Sequence, residues 1–431
     1  MKKTKKFLSV LLATSLVLLM LVGCSSGDNA NEEGEEGSAK GKKITFMCWY
    51  DEDDMEGILG AINNELGGEY EVEYTYVALT DYNNVLSTQL AAGEGPDIVA
   101  DGTNFPARIK AGNVKDITDA DYLDVFNEAG FSLCQDGDTV YGVPSYGWFS
   151  GIWYNKDILA EAGVSEPTTL DEFISACEKI AAIDKLPLGL GLADGDTANH
   201  SLLGYMENSF YHNNDKNTLG TDFDTEFANG EVTLVGNYEE TAAEWYALIE
   251  KGYINPEMLG ISNEEALNNF ITGNSAFFYG GPWQYSSLAE SDINFGMLPH
   301  LSKTGKDVYM LGGAAVNFGI NVNTKNEEGA EKVLEVLASV AVQQAFVDAN
   351  PGGFSYCEGV NAEMPAEYEN VKEVINSGNI SCPWDRWGIN MAAQSLIDES
   401  VSQVQGLVSG DITLEQYVEA MDLKADSIRY E

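Results

Sequence analysis

Positive charge is scarce in this chain of 431 residues. It has 23 Lys and Arg against 69 Asp and Glu, which gives a formal net charge of −46. A protein that binds a polyanion presents a basic face, so nucleic acid is not an expected partner. Apolar residues nevertheless make up 44 % of the chain, enough to bury a large core. The composition therefore indicates an acidic globular protein and excludes a generally disordered one.

Histidine and the common catalytic motifs are also scarce. The three histidines show no H-E-x-x-H spacing, and no G-x-x-x-x-G-K-[ST] loop is present to bind nucleotide phosphates. The serine within residues 141–147 lacks the first glycine of a G-x-S-x-G elbow. Residues 222–233 begin like a calcium loop, but Phe227 and Thr233 replace the required glycine and glutamate. We therefore expect no enzymatic activity, no cofactor and no metal site, with a structural calcium ion left open.

Cysteine is sparse, and its spacing excludes the usual cysteine sites. The six cysteines, at positions 24, 48, 134, 177, 357 and 382, contain no C-x-x-C pair that would indicate a zinc ribbon or a redox centre. If Cys24 is modified, five thiols remain, so at least one must be unpaired within the chain. Cys48 lies in an apolar strand-like segment and Cys177 on the apolar face of a predicted helix. Both are interpreted as small buried hydrophobes.

The first 24 residues have the pattern of an exported lipoprotein. Four lysines precede an apolar run of 16 residues, 7–22, which is short for a membrane span and typical of a secretory signal. The sequence Leu-Val-Gly-Cys at 21–24 resembles the bacterial lipobox. That resemblance implies a signal peptide over 1–23 and a lipid on Cys24. The alternative is an uncleaved anchor helix with an incidental cysteine.

Residues 24–43 are predicted to be a lipidated cysteine followed by a disordered acidic linker. They are rich in Ser, Gly, Asn and Glu and contain no large apolar residue that could pack. A flexible segment of this length has a root-mean-square reach of roughly 24 Å. It would keep a globular body, predicted to begin at Ile44, beside a membrane without fixing its orientation.

Strands and helices alternate along the predicted globular body. Residues 44–49 and 70–77 have strand patterns, and a helical pattern over 55–66 lies between them. Thr169 and Glu172 form a capping box at the start of a later helix. This alternation predicts an α/β protein with mostly parallel sheets.

Aromatic residues are plentiful, with 7 tryptophans and 21 tyrosines. Trp283 follows a Gly-Gly-Pro turn, and Trp384 and Trp387 flank an Asp-Arg pair. A tryptophan in a loop can pack on the apolar face of a pyranose ring while charged neighbours bond its hydroxyls. The alternative for any one tryptophan is core packing, and we prefer that interpretation for Trp153 and Trp245.

Several motifs occur across the body in an order typical of one family. They are Gly-Pro-Asp-Ile-Val at 95–99, Tyr-Gly-Val-Pro at 141–144, Trp-Tyr-Asn-Lys-Asp at 153–157, Pro-Thr-Thr-Leu-Asp-Glu-Phe at 167–173, the segment from Phe270 to Trp283, Phe-Gly-Met-Leu-Pro at 295–299 and Asn-Thr-Lys-Asn at 323–326. With these motifs the chain resembles the extracellular solute-binding proteins of ABC importers, in the carbohydrate-binding, maltodextrin-binding-protein-like family. The resemblance covers about residues 44 to 431.

The resemblance implies a two-lobed periplasmic-binding-protein-like fold of type II. Each lobe would have a central, mostly parallel sheet flanked by helices, with the ligand cleft between the lobes. Lobe 1 is expected to comprise 44–147 plus 317–360, and lobe 2 to comprise 148–316 plus 361–431. Closure of the two lobes about a hinge would trap the ligand.

The resemblance also implies positions that face the ligand cleft. In lobe 1 these are Trp49, Asp51 and Asp53 after the first strand, and Asp101 and Asn104 after the Pro-Asp-Ile-Val strand. In lobe 2 they are Trp148, Tyr205, Trp283, Trp384, Arg386 and Trp387. The stretch 355–383 and the loops near 194–226 match the family poorly, so the particular sugar stays open.

The function implied is that of a membrane-tethered extracellular receptor for a sugar or oligosaccharide. It would deliver its ligand to the permease subunits of an ABC transporter that has a separate ATPase. A monomer, anchored by its lipid at the outer face of the cell membrane, is expected.

Two alternatives stay open. One is a secreted carbohydrate-active enzyme such as a glycoside hydrolase, for which two carboxylates around a glycosidic bond suffice. The other is the same receptor fold binding a polyamine or a metal ion, which the acidic charge favours.

Substitution of Cys24 by serine is expected to abolish lipid attachment, because the hydroxyl cannot replace the thiol as the acceptor. Growth with radiolabelled palmitate, followed by purification of the protein, measures this directly. The Cys177→Ser variant is the control and should label normally. Equal labelling of the Cys24→Ser variant would show that another residue carries the lipid.

Overall fold

The computed structural model describes residues 41–193, 196–212, 222–388 and 390–430. The predicted signal peptide, Cys24 and most of the predicted linker lie outside these residues. The described strands, in chain order, are β1 (Lys42–Cys48), β2 (Tyr70–Tyr76), β3 (Ile98–Asp101), β4 (Gln135–Asp136), β5 (Thr139–Val140), β6 (Val143–Pro144), β7 (Tyr146–Asn155), β8 (Leu186–Gly189), β9 (Ser275–Gly280), β10 (Phe295–Leu298), β11 (Met310–Ala314), β12 (Asn317–Ile320), β13 (Phe354–Ser355) and β14 (Ile380–Ser381).

Helices cover both sheets that these strands form. The described α-helices are α1 (Glu52–Glu65), α2 (Leu79–Ala91), α3 (Phe105–Lys110), α4 (Lys156–Glu161), α5 (Leu170–Ala181), α6 (Asp196–Tyr205), α7 (Asp222–Asn229), α8 (Glu239–Glu250), α9 (Asn263–Ile271), α10 (Tyr285–Ala289), α11 (Glu327–Leu337), α12 (Val340–Ala349), α13 (Glu369–Asn376), α14 (Pro383–Gly388), α15 (Ala393–Ser409) and α16 (Leu414–Ile428). A π-helical segment, Met206–His212, continues directly from α6. Among the described helices, none is both long and apolar enough to cross a membrane.

The first lobe is built on a five-stranded sheet with strand order β2-β1-β3-β12-β6. Strand β1 runs parallel to both β2 and β3, whereas β12 runs antiparallel to β3 and β6. The strand begins at Lys42, two residues before the predicted start of the body, because Lys42 pairs with Tyr70 and extends the ladder. Helices α1, α11 and α12 supply apolar side chains to the core of this lobe.

The second lobe is built on a seven-stranded sheet centred on β7. Strands β9, β10, β11 and β13 all run antiparallel to β7, while β8–β9 and β11–β14 are parallel pairs. The predicted α/β architecture is confirmed, but the pairing in this sheet is mixed rather than mostly parallel. The reason is that β7 enters from the first lobe and is flanked by strands that all run in the opposite direction.

The long strand β7 separates two parts of the second lobe's core. Successive side chains of a strand point to opposite faces of the sheet. Trp148, Ile152 and Tyr154 accordingly pack on one face, with helices α5, α6 and α8, whereas Phe149 and Trp153 pack on the other, with α9 and α13. This alternation fixes the face on which Trp148 lies.

Among the described residues, three segments connect the predicted lobes: one lies between β6 and β7, one between β11 and β12, and one after α12, where β13 pairs with β7. The first two are neighbours. The Ser145 amide donates to the carbonyl of Val316 over 2.8 Å, and the Val316 amide donates to Ser145 Oγ over 3.0 Å. The Ala315 amide donates to the carbonyl of Tyr146. The two crossings are therefore held together as a pair. The lobe boundaries given above stay a prediction.

The five cysteines among the described residues are all buried and free of disulfides. Cys48 ends β1 and Cys177 lies on the buried face of α5, as predicted. Burial raises the pKa of the Cys48 thiol to about 12, so the reactive thiolate form is suppressed at neutral pH.

A reductant is expected to leave the melting temperature unchanged, because none of these buried thiols is cross-linked. Loss of a structural disulfide costs about 2–5 kcal/mol, which a melting curve resolves easily. Thiol titration with and without denaturant provides the control, since buried thiols react only after unfolding. A drop of many degrees on reduction would reveal a disulfide and contradict this description.

Candidate ligand-binding site

Four aromatic side chains meet at one end of the second lobe's sheet. The rings of Trp148 and Trp384 are nearly parallel, at 8°, with centroids 6.0 Å apart. The centroid of the His200 ring lies 5.6 Å from that of Trp148 and 6.0 Å from that of Trp384, and the interplanar angles are 21° and 19°. Trp283 is tilted by 58° against Trp148 and by 64° against His200. We call Trp148, His200, Trp283 and Trp384 the aromatic cluster.

Each member of the cluster comes from a different element of the fold. Trp148 lies near the start of β7, His200 in α6 and Trp384 in the first turn of α14, while Trp283 lies in a short 3₁₀ turn after β9. Three tryptophans that the sequence predicted as ligand contacts are thus brought together across long sequence separations. Trp283 remains 46 % exposed, unlike a core tryptophan.

The Gly-Gly-Pro turn explains how Trp283 is displayed. A Cβ atom at Gly281 would overlap the indole ring of Trp283 and the carbonyl oxygen of Phe149. Only glycine therefore lets the ring fold back over the backbone. The Gly281 amide donates to Gln284 Oε1 over 2.7 Å, which closes the turn. One face of the indole is supported by the chain, and the residue is still largely exposed.

A carboxylate lies beside the cluster. Across the β7–β11 ladder, Trp148 is directly paired with Gly313. Paired residues project to the same face with Cβ positions about 5 Å apart. A Cβ at Gly313 would overlap Asp385 Oδ2, so this carboxylate occupies the space that a side chain on β11 would fill. Asp385 and Trp148 are therefore neighbours on one face of the sheet.

A cavity of about 290 Å³ opens next to this carboxylate. The residues that line it are Ser132, Thr225, Asp385, Arg386 and Asn390. Ser132 belongs to the first lobe, because Phe131 and Cys134 on either side of it pack in that core. The other four residues belong to elements of the second lobe. The cavity therefore lies between the lobes, where a ligand of the predicted kind would be enclosed.

Arg386 fixes the helix that carries Trp384 and Asp385. Its guanidinium donates to Glu207 Oε2 and to Asp224 Oδ2, both over 2.7 Å. Both carboxylates are fully buried, and Trp387 Nε1 donates to Asp224 Oδ1 over 2.6 Å. Burial acts to raise the pKa of Glu207, but Arg386 and His212 outweigh it and lower that pKa to about 2. Helix α14 is thus bonded to α7 and to the π-helical segment.

The site residues predicted for the first lobe lie at the carboxyl ends of β1 and β3. Trp49 packs edge-on against Tyr82, with centroids 5.0 Å apart. Asp51 caps α1 by accepting the amide of Asp54, and Asp53 is exposed in the same first turn. Asn104 precedes α3 and is half-buried. Among the described residues, no ring contact joins this group to the aromatic cluster.

Three other predicted site residues are buried by partners within their own lobe. Asp101 accepts Arg108 Nε over 2.8 Å, and burial raises the pKa of its carboxyl although Arg108 opposes that shift. Tyr205 donates to Glu244. Trp387 is 1 % exposed and bonds Asp224, as described above. These side chains have partners within their own lobe, and their contact with a ligand stays a prediction.

Sequence reasoning missed several residues of the site. Asp385 was noted only as a neighbour of two tryptophans, although its place between Trp384 and Arg386 was a usable signal. His200 and Glu207 fall in the region that matches the family poorly, so no motif pointed to them. Asp224 lies in the segment that resembles a calcium loop, but it belongs to α7 and binds Arg386.

Two lobes, with an aromatic cluster in the second and a cavity lined from both, have the features of a two-lobed solute-binding protein. The chain matches the family "Bacterial extracellular solute-binding protein" over residues 53–344 and belongs to it. The predicted family and fold are thereby confirmed.

Individual relatives agree with this assignment. The chain is 24 % identical over 356 residues to the multiple sugar-binding protein of Streptococcus mutans, covering 81 % of this chain and 82 % of that protein. It is 25 % identical over 351 residues to the galactooligosaccharide-binding protein of Bacillus subtilis, covering 79 % and 78 %. A family 1 extracellular solute-binding protein from Bifidobacterium longum subsp. infantis superposes with a TM-score of 0.72 at 26 % identity, covering 90 % of this chain and 100 % of that one.

Substitution of Trp283 by alanine is expected to weaken binding of an oligosaccharide by about 1–3 kcal/mol, or about 5- to 150-fold, because a stacked aromatic is removed. The unliganded protein should melt almost as before, since the ring is 46 % exposed. Calorimetric titration and thermal melting measure the two effects separately.

Trp153→Ala is the matched control, because that indole is fully buried. It should cost about 3–5 kcal/mol of stability. If Trp283→Ala shows this stability loss while its sugar affinity stays within about twofold of wild type, Trp283 is a packing residue and the site is misplaced.

Proposed function

We propose that this protein is an extracellular receptor that captures a sugar or oligosaccharide between its lobes and delivers it to an ABC transporter. A lipid on Cys24 holds the monomer at the outer face of the membrane, and a separate ATPase drives transport. The observation that carries the proposal is the aromatic cluster beside the Asp385 carboxylate, at a cavity lined from both lobes.

This combination suits a carbohydrate for a physical reason. The C–H face of a pyranose ring is apolar and packs on aromatic rings, and its hydroxyls form strong bonds with charged groups. Trp283 and the near-parallel pair Trp148 and Trp384 offer ring faces and edges in two orientations. Asp385 and Arg386 supply the charged groups at the cavity.

The relatives support the same ligand class. Two family members that align over about four-fifths of this chain are a multiple sugar-binding protein and a galactooligosaccharide-binding protein. Their names concern those proteins, and we extend only the class of ligand to this one. Membership of the family supports delivery to permease subunits, and the lipobox-like sequence before Cys24 supports the lipid anchor.

A glycoside hydrolase is less well supported by the site. Such enzymes place two carboxyl groups on either side of the glycosidic bond, about 5–10 Å apart. Among the described residues that line the cavity, Asp385 is the single acidic one. The nearby carboxylates of Glu207 and Asp224 are bonded to Arg386. This arrangement favours binding over hydrolysis.

A polyamine or a metal ion is also less well supported. A polyamine needs several carboxylates in a row, whereas the cavity presents one carboxylate beside an arginine. Within the described ranges, no group of three or more His, Cys, Asp or Glu side chains is placed to hold a metal ion. The excess acidic charge is therefore assigned to the surface rather than to this site.

The test is a melting-temperature screen of the purified protein with raffinose, stachyose, galactobiose, maltotriose, spermidine, Ca²⁺ and Zn²⁺. A ligand that binds the folded state stabilises it by about 2.7 kcal/mol at 100 times its dissociation constant. We expect at least one oligosaccharide to raise the melting temperature, and spermidine and the cations to leave it unchanged. Chromatography of the same mixtures should show intact sugar.

Two results would contradict the proposal. Release of shorter sugars by the purified protein would make it a glycosidase. Stabilisation by spermidine or a cation, without stabilisation by any sugar, would assign the cleft to a different ligand.

A further inference from the structure

We infer that Asp385 accepts the hydroxyl groups of the bound sugar only as the ionised carboxylate, so that ligand capture is coupled to pH and release is favoured by acid. This inference rests on the proposed function and adds a regulating group to the same site. It also defines the ligand class more narrowly, as a carbohydrate that carries no negative charge.

The first observation is that the Asp385 carboxylate is buried without a partner. The side chain is 8 % exposed, and no hydrogen bond or ion pair to its carboxylate is found within the described ranges. By contrast, the carboxylates of Glu207 and Asp224 are bonded to Arg386. An unpaired buried carboxylate is costly unless donors compensate it. Asp385 lines the cavity between the lobes, so a ligand there can supply those donors.

The second observation is that the chain makes room for this carboxylate. A Cβ atom at Gly313 would overlap Asp385 Oδ2. Gly313 is paired with Trp148, so the carboxylate and the aromatic cluster are adjacent on one face of the sheet. A sugar ring packed on the cluster therefore has its hydroxyl edge within reach of Asp385. This juxtaposition, more than the charge alone, assigns the carboxylate to ligand recognition.

The third observation is the charge around Asp385. Arg386 is next to it on α14 but is shared by Glu207 from the π-helical segment and Asp224 from α7. His212 Nε2 lies 2.8 Å from the other Glu207 oxygen. One guanidinium thus faces two carboxylates before Asp385 is counted. The ionised Asp385 adds a further negative charge to this group, which disfavours uronic acids and sugar phosphates.

His200, stacked against Trp148 and Trp384 in the aromatic cluster, is a further titratable group of the site. Tyr356 and Cys382 are two others, and they add no counter-charge. Burial raises the pKa of Tyr356 well above its usual range, and burial likewise raises the pKa of Cys382. Both groups are therefore neutral at physiological pH. Burial, reinforced by Glu207 and opposed by Arg386, raises the pKa of Asp385 to about 7. The carboxyl group consequently changes its charge near neutral pH.

The direction of the pH effect follows from linkage. A ligand that bonds the ionised form lowers the pKa of Asp385 on binding, so affinity is highest above the free pKa and falls as pH drops through it. With a free pKa of about 7, the dissociation constant should rise about 30-fold between pH 8 and pH 5.5. A protonated carboxyl that served as a donor would produce the opposite trend.

The test is calorimetric titration of the purified protein with raffinose, a neutral trisaccharide that contains galactose, between pH 5.5 and pH 8.5. The wild type should show the 30-fold rise in dissociation constant at low pH. Asp385→Asn should bind raffinose more weakly than wild type at pH 8. Its dissociation constant should vary less than about threefold between pH 5.5 and pH 8.5. The matched control is Asp292→Asn, an exposed change on the same lobe, which should keep the wild-type profile. A flat wild-type profile, or an unchanged slope in Asp385→Asn, would overturn the inference.

A second measurement needs no ligand and separates this inference from the proposed function. Asp385 adjoins Trp384 in the chain and Trp148 in space, so its ionisation should change the tryptophan fluorescence of the unliganded protein near pH 7. That transition should disappear in Asp385→Asn and persist in Asp292→Asn. Failure of raffinose and the other sugars to bind counts against the proposed function alone. A missing transition, or one that survives in Asp385→Asn, overturns the role of Asp385 whatever the sugar results show.

Discussion

The site depends on the ion pairs that Arg386 makes with Glu207 and Asp224. A guanidinium enclosed by two buried carboxylates fixes three separate segments of the second lobe relative to each other. Removal of one partner of such a pair leaves a buried charge uncompensated and costs about 3–5 kcal/mol. Because Trp384 and Asp385 lie on the same short helix as Arg386, these bonds also set the positions of Trp384 and Asp385.

The rest of the architecture brings other elements to that helix. Strand β7 alternates its side chains between two cores and so presents Trp148 on the face that α14 covers. Gly313 on the neighbouring strand leaves the space that Asp385 fills. The bonds between Ser145 and Val316 hold two of the crossings together. Packing and glycine placement therefore bring the aromatic cluster, Asp385 and the cavity together.

Local patterns predicted much of this molecule, and long-range contacts account for what they missed. Periodicity located β1, β2 and α1, and the Gly-Gly-Pro turn marked Trp283 as displayed. Trp384 and Trp387 look equivalent in the sequence, yet the first joins the aromatic cluster and the second bonds Asp224 in the core. That difference is decided by residues some 160 positions away. The contact between Asp385 and Gly313 cannot be predicted from local patterns either, because it depends on how helix α14 crosses the sheet.

The most direct test of the central claim is a crystal structure of the protein with a bound oligosaccharide such as raffinose. The account predicts a sugar ring within about 4 Å of the aromatic cluster, with hydroxyl groups at hydrogen-bonding distance from Asp385. It also predicts that Ser132 from the first lobe closes over the same ligand. A sugar bound away from Trp283 and Asp385, for instance around Trp49 and Asp51 alone, would contradict the account.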